Sequence, residues 1–136
     1  MTQRNPFNPA LADGIRRYGF RKWYERELLS SHAHMALALL ASVALIASFE
    51  AFKGGSWGEK LIDTAFVLVC AAIALWALRR YLYLLMHAEE MANQANCGRC
   101  QAYGLLLVPE DAQSPAQRLV PVCCKRCGFR WDMQDG

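Results

Sequence analysis

Charged residues are almost absent from two long stretches of this chain. No Asp, Glu, Lys or Arg lies within residues 28–49, and Asp63 is the one charged residue within residues 61–78. Neither stretch contains proline or glycine, so nothing in them interrupts a helix. The composition, 54% hydrophobic and 20% charged, excludes a disordered chain and a collagen-like repeat, and a length of 136 residues excludes a large multidomain enzyme.

Catalytic signatures are lacking as well. The chain contains no Ser-His-Asp order, no glycine-rich phosphate loop and no H-E-x-x-H motif. Few residues remain for a substrate site once the apolar stretches are set aside. We therefore expect a protein that is not an enzyme.

Each apolar stretch is close to the ~20 residues that a helix needs to cross a bilayer. The segment between them, residues 53–60, is rich in glycine and carries Trp57, a residue type that favours the membrane interface. The pattern predicts a transmembrane helical hairpin. The alternative is a buried two-helix core in a soluble protein, which would need a partner to cover apolar surface all around both helices. A cleaved signal peptide is not expected, because the segment before the first stretch is long and rich in charged and aromatic residues.

Basic residues predict the orientation of this hairpin. Lys and Arg number six in residues 1–33, two in the loop and seven after residue 78. The positive-inside rule then places both termini in the cytoplasm, which we expect to be that of a bacterium, with the hairpin in its inner membrane. Arg79 and Arg80 follow the second stretch and are expected at the interface, where long side chains reach the headgroups.

The segment before the first stretch mixes basic and aromatic residues. Asn8 is expected to cap a helix that begins at Pro9 and carries Leu11, Ile15 and Tyr18 on one stripe, although Gly14 and Gly19 weaken it. The residues expected to contact an anionic membrane surface are Arg16, Arg17, Arg21, Lys22 and Trp23. The alternative is a solvated basic tail that only sets the orientation.

Beyond Arg80 the helical pattern continues to about residue 93. Small residues four apart (Ala38 with Ser42, Ala44 with Ser48, and Cys70 with Ala74) predict close helix packing. His34 and His87 could form a bis-histidine haem site, but we expect histidines without a cofactor.

Five of the six cysteines lie near the C-terminus, and Cys70 is expected to be an inert apolar residue. Two C-x-x-C pairs, Cys97 with Cys100 and Cys124 with Cys127, predict a tetrahedral thiolate site. Four thiolates leave no open coordination position, so the metal is expected to be structural. Zinc is the first choice, iron the second and a disulfide the third, because a cytoplasmic location disfavours disulfides. Cys123 could replace Cys124, but the spacing favours Cys124.

The residues around these pairs predict strands at 101–108, 118–122 and 129–133, with a loop at 109–117. This order resembles a zinc ribbon or rubredoxin-type double knuckle, best at the second pair, where Gly128 follows Cys127 and Trp131 lies three residues further on. Gln101 departs from the pattern, since a glycine often occupies its place. The resemblance covers about residues 97–133 and implies metal binding without a specific role.

The sequence thus predicts a mainly α membrane protein. Residues 1–30 form an interfacial amphipathic segment, 31–95 a transmembrane hairpin with a helical extension, and 96–136 a small β zinc ribbon. The ribbon's nearly balanced charge argues against nucleic acid. We expect an accessory subunit or assembly factor that binds the bilayer and a larger membrane complex, or that forms a homo-oligomer. A membrane-tethered iron electron carrier and a thiol or zinc redox sensor are the alternatives.

Overall fold

The computed structural model describes residues 5–51, 54–111 and 118–136. Within these residues the chain forms three helices, α1 (Leu11–Tyr18), α2 (Phe20–Ala51) and α3 (Trp57–Gln94). Three strands follow, β1 (Leu106–Leu107), β2 (Leu119–Cys124) and β3 (Arg130–Gln134), in one antiparallel sheet of order β1-β2-β3. The mainly helical character and the small C-terminal sheet are confirmed, although the first strand is much shorter than predicted. Arg4, Lys53 and most of the predicted loop at 109–117 lie outside the described residues.

The chain divides into two compact units. One comprises Ser31–Tyr83 and is called the hairpin unit here; the other comprises Met1–Ser30 and Leu84–Gly136 and is called the ribbon unit. These two units differ from the predicted segments 1–30, 31–95 and 96–136. The physical reason for the difference is a hydrophobic core that the N-terminal segment, the end of α3 and the sheet build together.

Within the hairpin unit, small side chains line the contact between α2 and α3. The buried positions are Ser31, Ala38, Ala41 and Ser48 on α2, and Cys70 and Ala77 on α3. Ser31 Oγ donates to the Tyr81 carbonyl at 3.4 Å, and the rings of His34 and Trp76 lie 5.5 Å apart. Ala38, Ser48 and Cys70 were expected at such a seam.

The residues predicted to share the seam with them, four positions away, are less buried. Ser42 is exposed, and Ala44 and Ala74 are only partly buried. Buried positions recur seven residues apart, as from Ser31 to Ala38 and from Cys70 to Ala77, rather than four. A seven-residue repeat keeps one seam facing the partner helix, which a four-residue repeat does not.

Most apolar side chains of the hairpin unit point away from this seam. In the most apolar 18-residue window of each helix, only 17% of α2 and 11% of α3 is buried. The large exposed side chains include Leu40, Val43, Ile46, Phe49, Phe66, Leu68 and Leu75. Both helices are therefore long and apolar enough to cross a membrane. A core helix of a soluble protein would instead be mostly buried.

The core of the ribbon unit collects residues from every element of that unit. Leu11 and Ile15 of α1 lie beside Phe20 and Trp23 of α2 in one buried cluster. The other members are Met91 and Ala95 near the end of α3, Leu106 and Val108 near β1, Val120 and Val122 of β2, and Met133 of β3. The sheet thus gains apolar neighbours that a segment limited to residues 96–136 would lack.

Trp23 illustrates how this core departs from the sequence prediction. Trp23 was predicted to lie at the membrane interface, but it is only 1% exposed. Its indole N–H donates to the Pro9 carbonyl at 3.0 Å. Leu11 and Ile15 are buried in the same core, so protein covers the apolar stripe of α1. The four basic residues predicted beside Trp23 remain exposed: Arg16, Arg17, Arg21 and Lys22.

Asn8 also takes a different role. The residue that caps α1 is Ala10, without a side-chain hydrogen bond. The Asn8 amide nitrogen donates instead to the Trp23 carbonyl at 3.1 Å and to Glu27 Oε2 at 2.8 Å. Asn8 therefore ties the N-terminal segment to α2.

The absence of a side chain at Gly14 leaves space for the Trp23 indole in the core of the ribbon unit. A Cβ at residue 14 would lie 2.1 Å from Trp23 Cδ1, so Gly14→Ala forces the indole out of its place. We expect this substitution to destabilise the ribbon unit by about 2 kcal/mol or more, despite alanine's better helix propensity. Thermal unfolding of the detergent-purified protein measures the effect. Gly58→Ala, where nothing lies within 4 Å, is the matched control, and an equal effect of both variants would contradict this account.

Candidate metal centre

The two C-x-x-C pairs lie in two turns with the same hydrogen bond. Cys97 and Cys100 belong to the turn after α3, whereas Cys124 ends β2 and Cys127 lies in the turn to β3. In the first turn the Gln101 amide donates to the Cys97 carbonyl at 2.9 Å. In the second the Gly128 amide donates to the Cys124 carbonyl at 3.0 Å. The two turns are therefore equivalent knuckles.

Short backbone contacts tie both knuckles to the sheet. The Cys124 amide donates to the Phe129 carbonyl at 2.8 Å, which closes the β2–β3 turn. The Lys125 amide donates to the Leu105 carbonyl at 2.9 Å, which places the second knuckle beside the chain that enters β1. The knuckles consequently meet at one end of the sheet.

This meeting brings the four predicted sulfur ligands together. The Sγ atoms of Cys97, Cys100, Cys124 and Cys127 all lie within 4.8 Å of one another. The Cys97–Cys127 and Cys100–Cys124 sulfur distances are 3.5 and 3.6 Å. A tetrahedron with Zn–S bonds of about 2.3 Å has edges of about 3.8 Å, whereas a disulfide bond is only about 2.05 Å long. The cluster has the dimensions of a metal site.

Charge gives a second reason to expect a cation here. Hydrogen bonds from the backbone of Cys100 and Arg99 lower the pKa of Cys97 from 9.0 to about 6. The Phe129 amide favours the Cys127 thiolate, but desolvation and the neighbouring sulfurs raise the pKa of Cys127 to about 12. Without a cation, therefore, one thiolate forms at the expense of another, because like charges this close oppose each other.

The four cysteines are largely buried and together can fill every coordination position of a tetrahedral metal ion. Cys97 and Cys124 are 1% and 3% exposed, and the other two cysteines are partly buried. Four thiolates complete a tetrahedral shell, which suits zinc and iron alike. The cluster can therefore hold a metal ion in a structural or electron-transfer role.

Cys123 and Cys70 are not members of the four-sulfur cluster. Cys123 is adjacent to Cys124 on β2, where side chains alternate between faces, and its Sγ lies 3.5 Å from the Gly128 carbonyl oxygen. Cys70 is buried in the hairpin unit. The preference for Cys124 over Cys123 therefore agrees with the geometry of β2.

His87 is engaged by carboxylates, a feature that sequence reasoning missed. Its Nε2 lies 2.8 Å from Asp135 Oδ1, and its Nδ1 lies 3.6 Å from Glu27 Oε1. Glu27 is 3% exposed and accepts hydrogen bonds from the side chains of Asn5 and Asn8. Both ring nitrogens of His87 therefore face carboxylates. The members are too far apart in sequence for spacing to reveal the cluster.

The backbone conformation of Gln101 explains how the first knuckle forms without the glycine that often occupies this position. Gln101 has φ = 56° and Gly128 has φ = 74°, so both knuckles require the left-handed region after their second cysteine. Glycine adopts this left-handed backbone conformation without a Cβ clash, whereas glutamine adopts it with backbone strain. The first knuckle therefore keeps the glycine conformation without the glycine.

We expect Gln101→Gly to stabilise the metal-loaded protein by up to about 1 kcal/mol, and Gly128→Ala to destabilise it by about as much. The midpoint of thermal unfolding under saturating zinc measures both effects. Gly98→Ala is the control within a knuckle, because its φ is not positive and its nearest contact, Phe129, is 3.8 Å away. Destabilisation by Gln101→Gly would refute the strain argument.

The His87 cluster predicts a pH dependence. Asp135 and Glu27 raise the pKa of His87, which lies beyond the apolar run 61–78, from 6.5 to about 9. The stabilisation that the protonated ring provides is therefore complete below pH 6.5 and is lost as the pH rises through about 9. Unfolding of the zinc-loaded protein between pH 6 and about 9.5 should show this decline, and His87→Gln should flatten it. A parallel decline in the variant would assign it to other groups.

Comparisons of the chain with protein-family models, with curated proteins and with solved structures each found no match.

Proposed function

We propose that this protein is an integral membrane protein whose hairpin unit crosses the bilayer and whose ribbon unit holds a structural zinc ion. The observation that carries the proposal is the cluster of four cysteine sulfurs within 4.8 Å of one another. The exposed apolar surface around both long helices supports membrane insertion, because water would hydrate it at high cost. A closed shell of four thiolates is typical of structural zinc sites, and iron in the same shell is the alternative.

The distribution of basic residues supports an orientation with both termini in the cytoplasm of a bacterial inner membrane. The ends that flank the apolar runs carry most of the Lys and Arg, including Arg79 and Arg80. Thiols persist in that reducing compartment, which suits a metal site rather than disulfides. Arg16, Arg17, Arg21 and Lys22 then supply an exposed basic surface suited to anionic headgroups.

We further propose a non-catalytic role as an accessory subunit or assembly factor of a larger membrane complex. A closed four-thiolate shell offers a substrate no coordination position. The ribbon unit also exposes large apolar side chains, among them Phe7 at 71% and Tyr103 at 55%. Such side chains suit contact with another protein.

Metal analysis of the detergent-purified native assembly, with its subunits identified by mass spectrometry, tests the proposal. We expect about one zinc per chain and a stoichiometric larger membrane protein. Cys97→Ser and Cys124→Ser should lose the zinc, whereas Cys123→Ser, next to a ligand but outside the cluster, should retain it. Cys70→Ser is a second control in the hairpin unit.

Other results would redirect the assignment. Iron at the same ratio, together with a reversible redox transition, would indicate an electron carrier instead of a structural zinc protein. Zinc without any companion protein would contradict the accessory role. Extraction of the intact protein by alkaline carbonate without detergent would contradict membrane insertion.

A further inference from the structure

Basic residues are concentrated at the end of the ribbon sheet where the cysteine cluster lies. Around the metal cluster, in residues 95–108 and 119–131, every charged residue is basic: Arg99, Lys125, Arg126 and Arg130. All four are exposed, and among the described residues none forms an ion pair. We call these four residues the basic end of the ribbon unit.

Hydrogen bonds and sulfur contacts bring these residues to one end. Arg99 lies inside the first knuckle and Lys125 and Arg126 inside the second, and the sulfurs of the two knuckles meet at 3.5 and 3.6 Å. Arg130 begins β3 and pairs with Cys123, one residue before the second knuckle. The four basic residues therefore lie at one end of the sheet.

The acidic residues lie toward the other end of the strands. Glu110 and Asp111 follow β1, which runs away from the second knuckle. Asp135 follows β3, where its amide donates to the Arg118 carbonyl before the start of β2. Asp132 is the nearest acidic residue in sequence and pairs with Pro121 in the middle of the sheet. The knuckle end of the sheet thus carries four basic residues and no acidic one within residues 95–108 and 119–131, whereas the other end carries acidic residues together with Arg118.

Exposed apolar side chains accompany the basic end. Leu105 is 48% exposed, and its carbonyl accepts from the Lys125 amide. Phe129 is 39% exposed, lies against Gly98 of the first knuckle and stacks with Trp131 at 6.2 Å. Tyr103, 55% exposed, bridges to Asn96 beside Cys97. Arginine and exposed aromatic residues are the types enriched at protein interfaces.

We propose that the basic end docks an acidic segment of a partner protein that also carries apolar side chains. The four cations exceed the net charge of about −2 that four thiolates and a zinc ion carry, so charge complementarity calls for carboxylates on the partner. Leu105 and Tyr103 call for apolar side chains beside them. A phosphodiester backbone would satisfy the cations but offers no match for the exposed aliphatic Leu105. The inference rests on the proposed function, since it names the chemistry of the partner that an accessory subunit requires.

The test uses the full chain, zinc-loaded, in an uncharged detergent. The probe is a fluorescently labelled synthetic peptide of Glu, Leu and Phe with Ser and Gly spacers; a matched peptide carries Gln in place of every Glu. Fluorescence anisotropy should show the Glu peptide binding at least about tenfold more tightly than the Gln peptide, with the difference shrinking as salt screens the charges. Equal binding of the two peptides would overturn the proposal.

Variants locate the site. A triple variant with Arg99→Gln, Lys125→Gln and Arg126→Gln should lose the preference for the Glu peptide, and Leu105→Ser should weaken binding while every charge stays. The matched control neutralises three exposed cations elsewhere, with Arg17→Gln, Arg21→Gln and Lys22→Gln, and should retain the preference. Equal loss in the control would overturn the proposal, because the attraction would then be nonspecific.

Two further measurements separate this proposal from the proposed function. Zinc content is measured in each variant. Retained zinc with lost peptide binding supports docking, whereas lost zinc in the triple variant would show that the cations serve the metal site instead. A single-stranded oligonucleotide that binds more tightly than the peptide, and only to the unmodified basic end, would reassign the surface to nucleic acid. Zinc retention and detergent-dependent extraction without peptide binding would leave the membrane zinc protein intact and refute docking alone.

Discussion

Four cysteine sulfurs can stay within 4.8 Å of one another as thiolates only if a cation neutralises them. This constraint governs the end of the sheet where the two knuckles meet. The knuckles belong to distant parts of the chain, one after α3 and one between β2 and β3. A metal ion that binds both therefore closes a loop between them, and its binding free energy contributes directly to folding.

The cysteine cluster lies at one end of a core that the sheet alone could not build. β1 pairs through only two residues, and a segment of about 40 residues usually needs a metal, a disulfide or further packing to be stable. α1 and the neighbouring part of α2 add Leu11, Ile15 and Trp23 to the core. The Glu27–His87–Asp135 cluster then joins α2, α3 and the residues after β3 by charge. The ribbon unit is thus assembled from the two ends of the chain.

The end of α3 covers the β3 edge of the sheet. At the β3 edge the Gln94 side chain accepts from the Gln134 amide at 2.7 Å and donates to the Gln134 carbonyl at 3.2 Å. A side-chain amide in this position imitates a neighbouring strand and blocks further pairing there. Trp131 adds an indole hydrogen bond to the Gln94 carbonyl. The end of α3 therefore fixes the sheet as well as the first knuckle.

Sequence patterns identified the features that depend on local spacing. The C-x-x-C pairs predicted the four sulfur neighbours, and the uncharged runs predicted two long apolar helices, because ligand spacing and helix length are local properties. The burial of Trp23 was not predictable, since aromatic and basic residues suit a membrane surface and a protein core equally well. Gly14, which weakened the helix prediction, proved to be the residue that admits the indole. The seven-residue seam was hidden because apolar residues surround both helices and leave no contrast.

The distribution of charge in the ribbon unit could not be predicted from the sequence either. A count of basic and acidic residues gave a near balance, whereas the strand register separates Arg99 and Lys125 from Glu110 and Asp135. Only the pairing of the strands determines which residues share an end of the sheet. The Glu27–His87–Asp135 cluster was hidden for the same reason, because its members meet only through tertiary packing.

X-ray absorption spectroscopy of the metal in the full-length protein tests the central claim most directly. The account predicts a zinc edge and a first shell of four sulfur atoms at about 2.3 Å, unchanged in Cys123→Ser. A shell that contains nitrogen or oxygen, or one that loses sulfur in Cys123→Ser, would contradict the assignment of Cys97, Cys100, Cys124 and Cys127 as the complete ligand set.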